Sequence, residues 1–410
     1  MTKKVATSAS SRRRGPGWAL ALAVWCGIAP TAAPAHDATQ HDATTHVARP
    51  ARSELATAVA FGPDGQLYAV SKEDGHLLLS RSADDGASWS TLQRINAEPE
   101  AIAADGDSQP RIAFTRGGDL LVSWTRPLLR PYTGEIRLAR RERGADAFDA
   151  PITVHRDRAE ITHRFQNLVV DAADRVTVLW IDKRDQEAAR ARKQPYRGAA
   201  IYAAVSGDGG HSFAPEQRVA DYSCECCRIA LTLDRDGAPL ALWRHVFAPN
   251  ERDHALARLR PDGTPETVTR ATFDHWKVDA CPHQGPSLVV APDGTRHAVW
   301  FNQRDGEGRV FYGRLAPNGV DGQMPVGGPR AAHADIASAA GALAIVWKEF
   351  DGEQTRLRAL HSTDGGRHFT PLELAASTGN TDQPRAIVRG ARLFAFWRQA
   401  DAGFKLYPLP

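Results

Sequence analysis

Short runs of alternating apolar and polar residues recur along most of the chain, broken at intervals by Gly, Asp and Pro. A two-residue period puts one set of side chains on a buried face, so these runs predict β-strands; no long segment carries the helical period. One phrase returns with an aromatic in it: GQLYAVS (Tyr68), GDLLVSWTR (Trp124), DRVTVLWID (Trp180), GAPLALWRH (Trp243), GTRHAVWFN (Trp300), GALAIVWKE (Trp347) and GARLFAFWRQ (Trp397). Successive aromatics lie 56, 56, 63, 57, 47 and 50 residues apart. Each phrase follows an apolar strand such as PRIAFT or PRAIVRG and precedes a third such as EIRLARR, usually with a fourth after it. Four short strands per repeat predict an all-β chain, a β-propeller with four-stranded blades. Seven blades fit the seven phrases, and six blades with an irregular terminus also fit. The last repeat stops at FKLYPLP with three strands, so a strand from residues 46–54 is expected to complete it.

Three segments refine this picture. SADDGASW (82–89), SGDGGHSF (206–213) and STDGGRHF (362–369) fit S-x-D-x-G-x-x-[W/F]. They resemble the Asp-box of sialidase-like, BNR-repeat propellers, and the resemblance covers roughly residues 55–410. It implies a turn between third and fourth strands in which Ser and Asp bond the turn backbone, Gly takes the strained dihedral and the aromatic anchors the turn.

The N-terminus changes the charge balance. Lys3, Lys4 and Arg12 to Arg14 precede the short apolar run WALALAVWCGIA, and Ala33-Pro34-Ala35 follows, the layout of a cleaved export signal over residues 1–35. The expected organisation is that signal, a His-rich linker with a closing strand (36–54) and the propeller (55–410), in a periplasmic or secreted protein with no membrane span after cleavage. Without residues 1–35, Lys and Arg fall from 51 to 46 against 48 Asp and Glu, and no basic excess remains to recruit nucleic acid.

A propeller converts strand order into position: segments leading into first strands and those leaving second strands meet on one face around the axis. The lead-ins supply Arg111, Arg228 and Arg385, read as one register, with His163, Gln166 and Gln284; the segments leaving second strands add Arg244 and His245. Converging cationic and polar groups predict a pocket for a small anionic or carbohydrate ligand. Cys224, Cys226 and Cys227 (in YSCECCRIAL) and Cys281 with His283 (in DACPHQGP) fall at equivalent places in adjacent repeats. Thiolates and imidazole suit a soft metal, with copper favoured as cofactor, and cleavage after Ala35 would leave His36 as a further copper ligand in HDATQHDATTH. Two disulfides or a thiol-exchange centre are the alternatives for four exported cysteines.

The family resemblance implies a second function, sialidase-like glycoside hydrolysis. Arg111, Arg228 and Arg385 would then imitate the carboxylate-binding arginine triad, and PRIAF is similar to the family's Phe-Arg-Ile-Pro motif. Against it, Arg111 opens the second repeat, and after Tyr312 the only tyrosine left for a nucleophile is Tyr407 near the terminus. Asp182, Asp185, Asp335 and Glu349 could supply paired carboxylates for other glycoside chemistry. A third function class is a non-catalytic propeller that docks a periplasmic protein partner, for which the basic insertion QEAARARKQPYRG (186–198) is the natural surface.

Overall fold

The computed structural model describes residues 55–280 and 282–410. The export signal, His36, the 46–54 strand and Cys281 lie outside the described residues.

Blade one holds β1 (Ala58–Phe61), β2 (Leu67–Glu73), β3 (His76–Ser82) and β4 (Ser90–Arg94). The second has β5 (Arg111–Phe114), β6 (Leu120–Pro127), β7 (Gly134–Arg141) and β8 (Ile152–Thr153). In the third, β9 (His163–Val170) and β10 (Val176–Asp182) are followed by helix α1 (Arg184–Ala191), β11 (Ala199–Ser206) and β12 (Gln217–Ser223). Blade four comprises β13 (Ala230–Leu233), β14 (Pro239–Arg244), β15 (His254–Leu259) and β16 (Pro265–Arg270). Next come β17 (Ser287–Val290), β18 (Arg296–Asn302), β19 (Arg309–Ala316) and β20 (Gly319–Val326). The sixth blade is β21 (Ala331–Ala339), β22 (Ala342–Phe350), β23 (Thr355–Ser362) and β24 (Thr370–Ser377). Three strands, β25 (Arg385–Arg389), β26 (Arg392–Gln399) and β27 (Gly403–Pro408), form the seventh blade among the described residues.

Every sheet is antiparallel, and each first strand neighbours the first strands of the blades on either side, with β25 beside β1. The ring therefore closes at seven. The cores say the same: each of the seven apolar clusters spans one junction between blades, and the Phe396–Leu67–Ala69 cluster joins the last blade to the first. Trp124, Trp180, Trp243, Trp300, Trp347 and Trp397 are all buried in these junctions. Each indole carries a polar edge into an apolar layer and needs an acceptor. Trp124 donates to Glu100, Trp180 to Asp182, Trp300 to Asp274, Trp347 to Glu349 and Trp397 to the Asp382 carbonyl. Trp243 Nε1 has no partner among the described residues.

Two local readings change. Tyr68 is not the counterpart of the tryptophans: pairing of Ala58 with Val70 puts Ser71 at that position, while Tyr68 packs edge-on against Phe114. The 186–198 insertion begins as a helix rather than a loop. Asp182 Oδ1 accepts from Arg184 N at 2.9 Å, Asp185 and Glu187 occupy the positive end, and Arg190 sits in the last turn.

The three S-x-D-x-G segments form turns between third and fourth strands, on the face away from the lead-ins. In the second, Ser206 Oγ donates to Asp208 at 2.6 Å and accepts from Gly210 N at 2.8 Å, while Asp208 accepts from Ser212 N and Oγ. The other two repeat this pattern around Asp84 and Asp364. At Gly366 (φ 77°) a Cβ would lie 2.1 Å from the Tyr312 hydroxyl, so only glycine fits there.

Candidate functional site

Strand pairing defines which residues share a level at the axis. Ala58, Arg111, Asn167, Ala230, Ser287, Asp335 and Arg385 each pair with the corresponding residue of the second strand: Val70, Ser123, Leu179, Leu242, Val299, Val346 and Phe396. All seven line one axial cavity of about 240 Å³. Arg228 is not in this register. Ala230 holds its level, and Arg228 lies two residues earlier in the lead-in to β13. It reaches the axis by its length: Nε donates to Pro286 O (3.0 Å), Nη1 to Gln383 Oε1 (3.2 Å) and Nη2 to Ala334 O.

Above that level sits Asp107, fully buried, just before β5. Its carboxylate accepts from Arg228 N (3.2 Å), Gly285 N (2.6 Å) and Gln383 Nε2 (3.1 Å), with His333 Nδ1 at 3.3 Å. Burial pushes its pKa up. The Arg228 charge and the bonds from His333 and Gly285 outweigh burial and hold the carboxyl well below the usual range. Gly285 is required here, because a Cβ would lie 2.3 Å from the Arg228 carbonyl oxygen. Asp107 thus ties the lead-ins of four other blades to its own. It is a structural hub.

Arg111 and Arg385 are placed differently. Neither guanidinium makes a hydrogen bond or ion pair with a described residue, and Arg111 Nε is buried without a partner. Asp335, the carboxylate at their level, instead accepts from Ser287 Oγ (2.6 Å) and Ala386 N (3.1 Å). Burial, then the charges of Arg385 and Arg228, push Arg111 down to about 9. Arg385 is lowered by burial, against the opposing pull of Asp335. Two cations face one cavity against the single carboxylate of Asp335, so positive charge is in excess there.

The other expected ligand residues lie off this cavity. Gln166 accepts from Thr125 Oγ1 and donates to the Gln109 and Ser123 carbonyls, so its amide is fully engaged in joining strands. His163 is buried, stacks on His155 at 4.0 Å and places Nε2 3.6 Å from Asp182. His245 packs 4.4 Å from Phe247 and is pushed down to about 4, chiefly by burial. Gln284 accepts from His333 N. Arg244 is buried and donates to the carbonyls of Arg252, Gln284 and Phe301, with Trp276 under its guanidinium.

The thiols gather on the loop between β12 and β13. Cys224 Sγ lies 3.8 Å from Cys226 Sγ and 3.6 Å from Cys227 Sγ, and all three side chains are buried. Glu225 points the other way, accepting from Lys183 Nζ and Gln186 Nε2, which ties α1 to this loop. Bonds from Cys226 and Cys227, with the Arg244 charge, lower Cys224; burial raises Cys227. The imidazole of His283 is not part of the thiol group: its ring lies against Gly106 near the Asp107 hub. A second cluster, Glu251, Asp253 and His275, is neutralised by Arg270, which bridges both carboxylates.

Carboxylates proposed for glycoside cleavage are dispersed. Asp182 pairs with Arg184, Asp185 accepts from Tyr202, Glu349 accepts from Trp347, and only Asp335 lines the axial cavity. Tyr312 is buried at a junction and its hydroxyl meets His297 Nδ1 at 2.8 Å.

No family model matches the chain, and no curated protein matches it. Solved structures do. A polysaccharide lyase, an ulvan lyase bound to a GlcA(1-4)Rha3S unit, aligns with TM-score 0.52 and 10% identity over 88% of this chain and 96% of its own. The α-L-arabinofuranosidase Arb93a of Fusarium graminearum aligns at 0.51 with 11% identity, over 75% and 92%. A Hadza microbial sialidase aligns at 0.48 with 12% identity, over 82% and 74%. The chain shares the propeller fold of the lyase and the arabinofuranosidase. At such identities the likeness reaches no further than the fold.

Proposed function

We propose that this protein binds the charged end of an anionic saccharide in the axial cavity, gripped by Arg111 and Arg385 and backed by the fixed charge of Arg228. The observation that carries this reading is the pair of deeply placed guanidiniums lining a cavity with no ion-pair partner among the described residues. Such charges are costly unless an anion joins them, and arginine stays protonated at neutral pH. A carboxylate or sulfate with two charge-assisted bonds is the natural occupant. At about 240 Å³ the cavity suits one acidic sugar residue rather than a drug-sized ligand, for which roughly 300–1,000 Å³ is usual. The ulvan lyase complex, whose GlcA(1-4)Rha3S unit carries a carboxylate and a sulfate, supports an anionic saccharide as the class for this chain too. The N-terminal segment supports action in the periplasm or outside the cell.

Binding fits the cavity better than turnover, because its one carboxylate, Asp335, is held by Ser287 and Ala386. Sialidase-like cleavage is the second reading, favoured by the three arginines at the axis. Calorimetric titration with hexuronates, sialic acid and sulfated hexoses, beside neutral hexoses, tests the first. Saturable binding of acids only, weakened about 10- to 100-fold by Arg385→Ala, is expected. Binding of neutral sugars alone would contradict it, and release of free sugar from sialosides would favour the second reading.

A further inference from the structure

The thiol loop is a separate site with its own chemistry. Cys224, Cys226 and Cys227 bring three sulfur atoms within 4.8 Å of one another, inside the apolar junction between blades three and four that also holds Phe165, Ile229 and Trp243. The loop is fixed at both ends before anything binds. Cys224 N donates to Arg244 O at 2.9 Å, and the residue after Cys227 is held by its N–H on Asp107. In the middle, Glu225 is drawn outward by Lys183 and Gln186, which turns its cysteine neighbours inward. Arg244, whose backbone carbonyl takes the Cys224 N–H, carries a buried guanidinium whose hydrogen-bond acceptors among the described residues are all neutral carbonyls. Blade four is also where the tryptophan Nε1 lacks an acceptor among the described residues. A dense group of sulfur atoms near a cation with only neutral acceptors among the described residues is built for negative charge on sulfur.

We propose that Cys224, Cys226 and Cys227 form a three-coordinate thiolate site for Cu(I), with Arg244 as its counter-ion. Softness and ligand number select the ion. Among the described residues the group offers three sulfurs and no nitrogen or oxygen donor, a soft set that suits Cu(I), whereas structural zinc takes four ligands in a tetrahedron. Binding releases one proton from each thiol that enters as thiolate and transfers no electron. The complex of one Cu(I) with three thiolates carries two negative charges, and Arg244 offsets one.

The test uses the full chain, isolated metal-free and reduced, and titrated anaerobically with Cu(I) against a bathocuproine competitor. One Cu(I) per chain should be retained, with a sulfur-only first shell by X-ray absorption. Cys224→Ser and Cys227→Ser should each weaken retention by more than about 100-fold, beyond the usual effect of losing an outer-shell partner. Arg385→Ala should retain copper while losing the anion, which separates this site from the axial one. Alkylation mapping needs no variant: Cu(I) should protect all three thiols, and Zn(II) should not. Loss of copper to the competitor at equal concentration, preferential retention of zinc, or alkylation unaffected by Cu(I) would each overturn the proposal. So would a disulfide through Cys224 that persists in the protein after mild reduction.

Discussion

The S-x-D-x-G turns and the axial cavity both place charged groups at strand ends, yet they treat them oppositely. In the turns, Asp84, Asp208 and Asp364 accept every bond within a few residues of chain, and those bonds outweigh burial to hold each carboxyl below its ordinary value. At the axis, Arg111 and Arg385 are deep, close enough to repel each other, and left without a partner among the described residues. A satisfied carboxylate in a turn stabilises the blade that contains it. An unsatisfied cation in a cavity destabilises the ring, and that cost is the ground for the proposal that an anion binds there. Asp107 shows that burial alone does not make the difference, since it is more buried than the arginines and is bonded from four sides.

This contrast can be broken by experiment. The broadest effect is expected in acid. His155, His245 and His297 are held neutral, with burial pushing them down to about 3, 4 and 4. Because their folded values lie below the ordinary value of about 6.5, the unfolded chain takes up protons first as pH falls. Their contribution is complete above about pH 6.5 and is lost progressively from there down to their folded values. Asp107 adds a further loss below about pH 4, again because its folded value is depressed. Thermal melts from pH 8 to pH 4 should fall by many degrees; a flat profile would contradict the buried neutral histidines.

Next in size, Asp107→Ala should destabilise by about 3–5 kcal/mol, since it strands Arg228, Gly285 N and Gln383 around an empty centre. A loss below about 1 kcal/mol in denaturant would remove its role as hub. Arg385→Met should have the opposite sign: it removes a half-buried cation with no ion-pair partner among the described residues and should raise stability by about 1 kcal/mol while weakening anion binding about 10- to 100-fold. Destabilisation with binding intact would place Arg385 among the structural residues. Of similar size on stability but with no effect on binding, Ser206→Ala should cost about 1 kcal/mol through the lost turn bonds and leave ligand affinity unchanged.

Much of the fold was legible because the signal repeats. The aromatic phrases about one blade apart reported the strand order and left six or seven blades open; the structure closes at seven. Register was less legible. Matching C-R to P-R aligned Arg228 with Arg111 and Arg385, but the pairing of β13 with β14 puts Ala230 at their level. Nothing in the apolar pattern distinguishes a two-residue offset in a lead-in that precedes the strand. Asp107 was invisible for a similar reason: an acid before a strand reads as a turn residue, and its four partners come from distant repeats. The thiols were the easier case, because three cysteines in four positions must be neighbours in any fold. Equivalent position did not bring His283 to them, since its side chain turns toward Gly106. Helix α1 escaped because eight residues are too few for a period to stand out from its flanks.

The central claim is that the axial arginines await an anion, and calorimetric titration of glucuronate into the native protein and an Arg111→Met/Arg385→Met double variant tests it most directly. The account predicts saturable one-to-one binding by the native protein, little changed from pH 6 to pH 8 because the guanidiniums stay charged across that range. The double variant should melt no lower than the native protein and show no heat of binding. Equal affinity in both proteins would contradict the account.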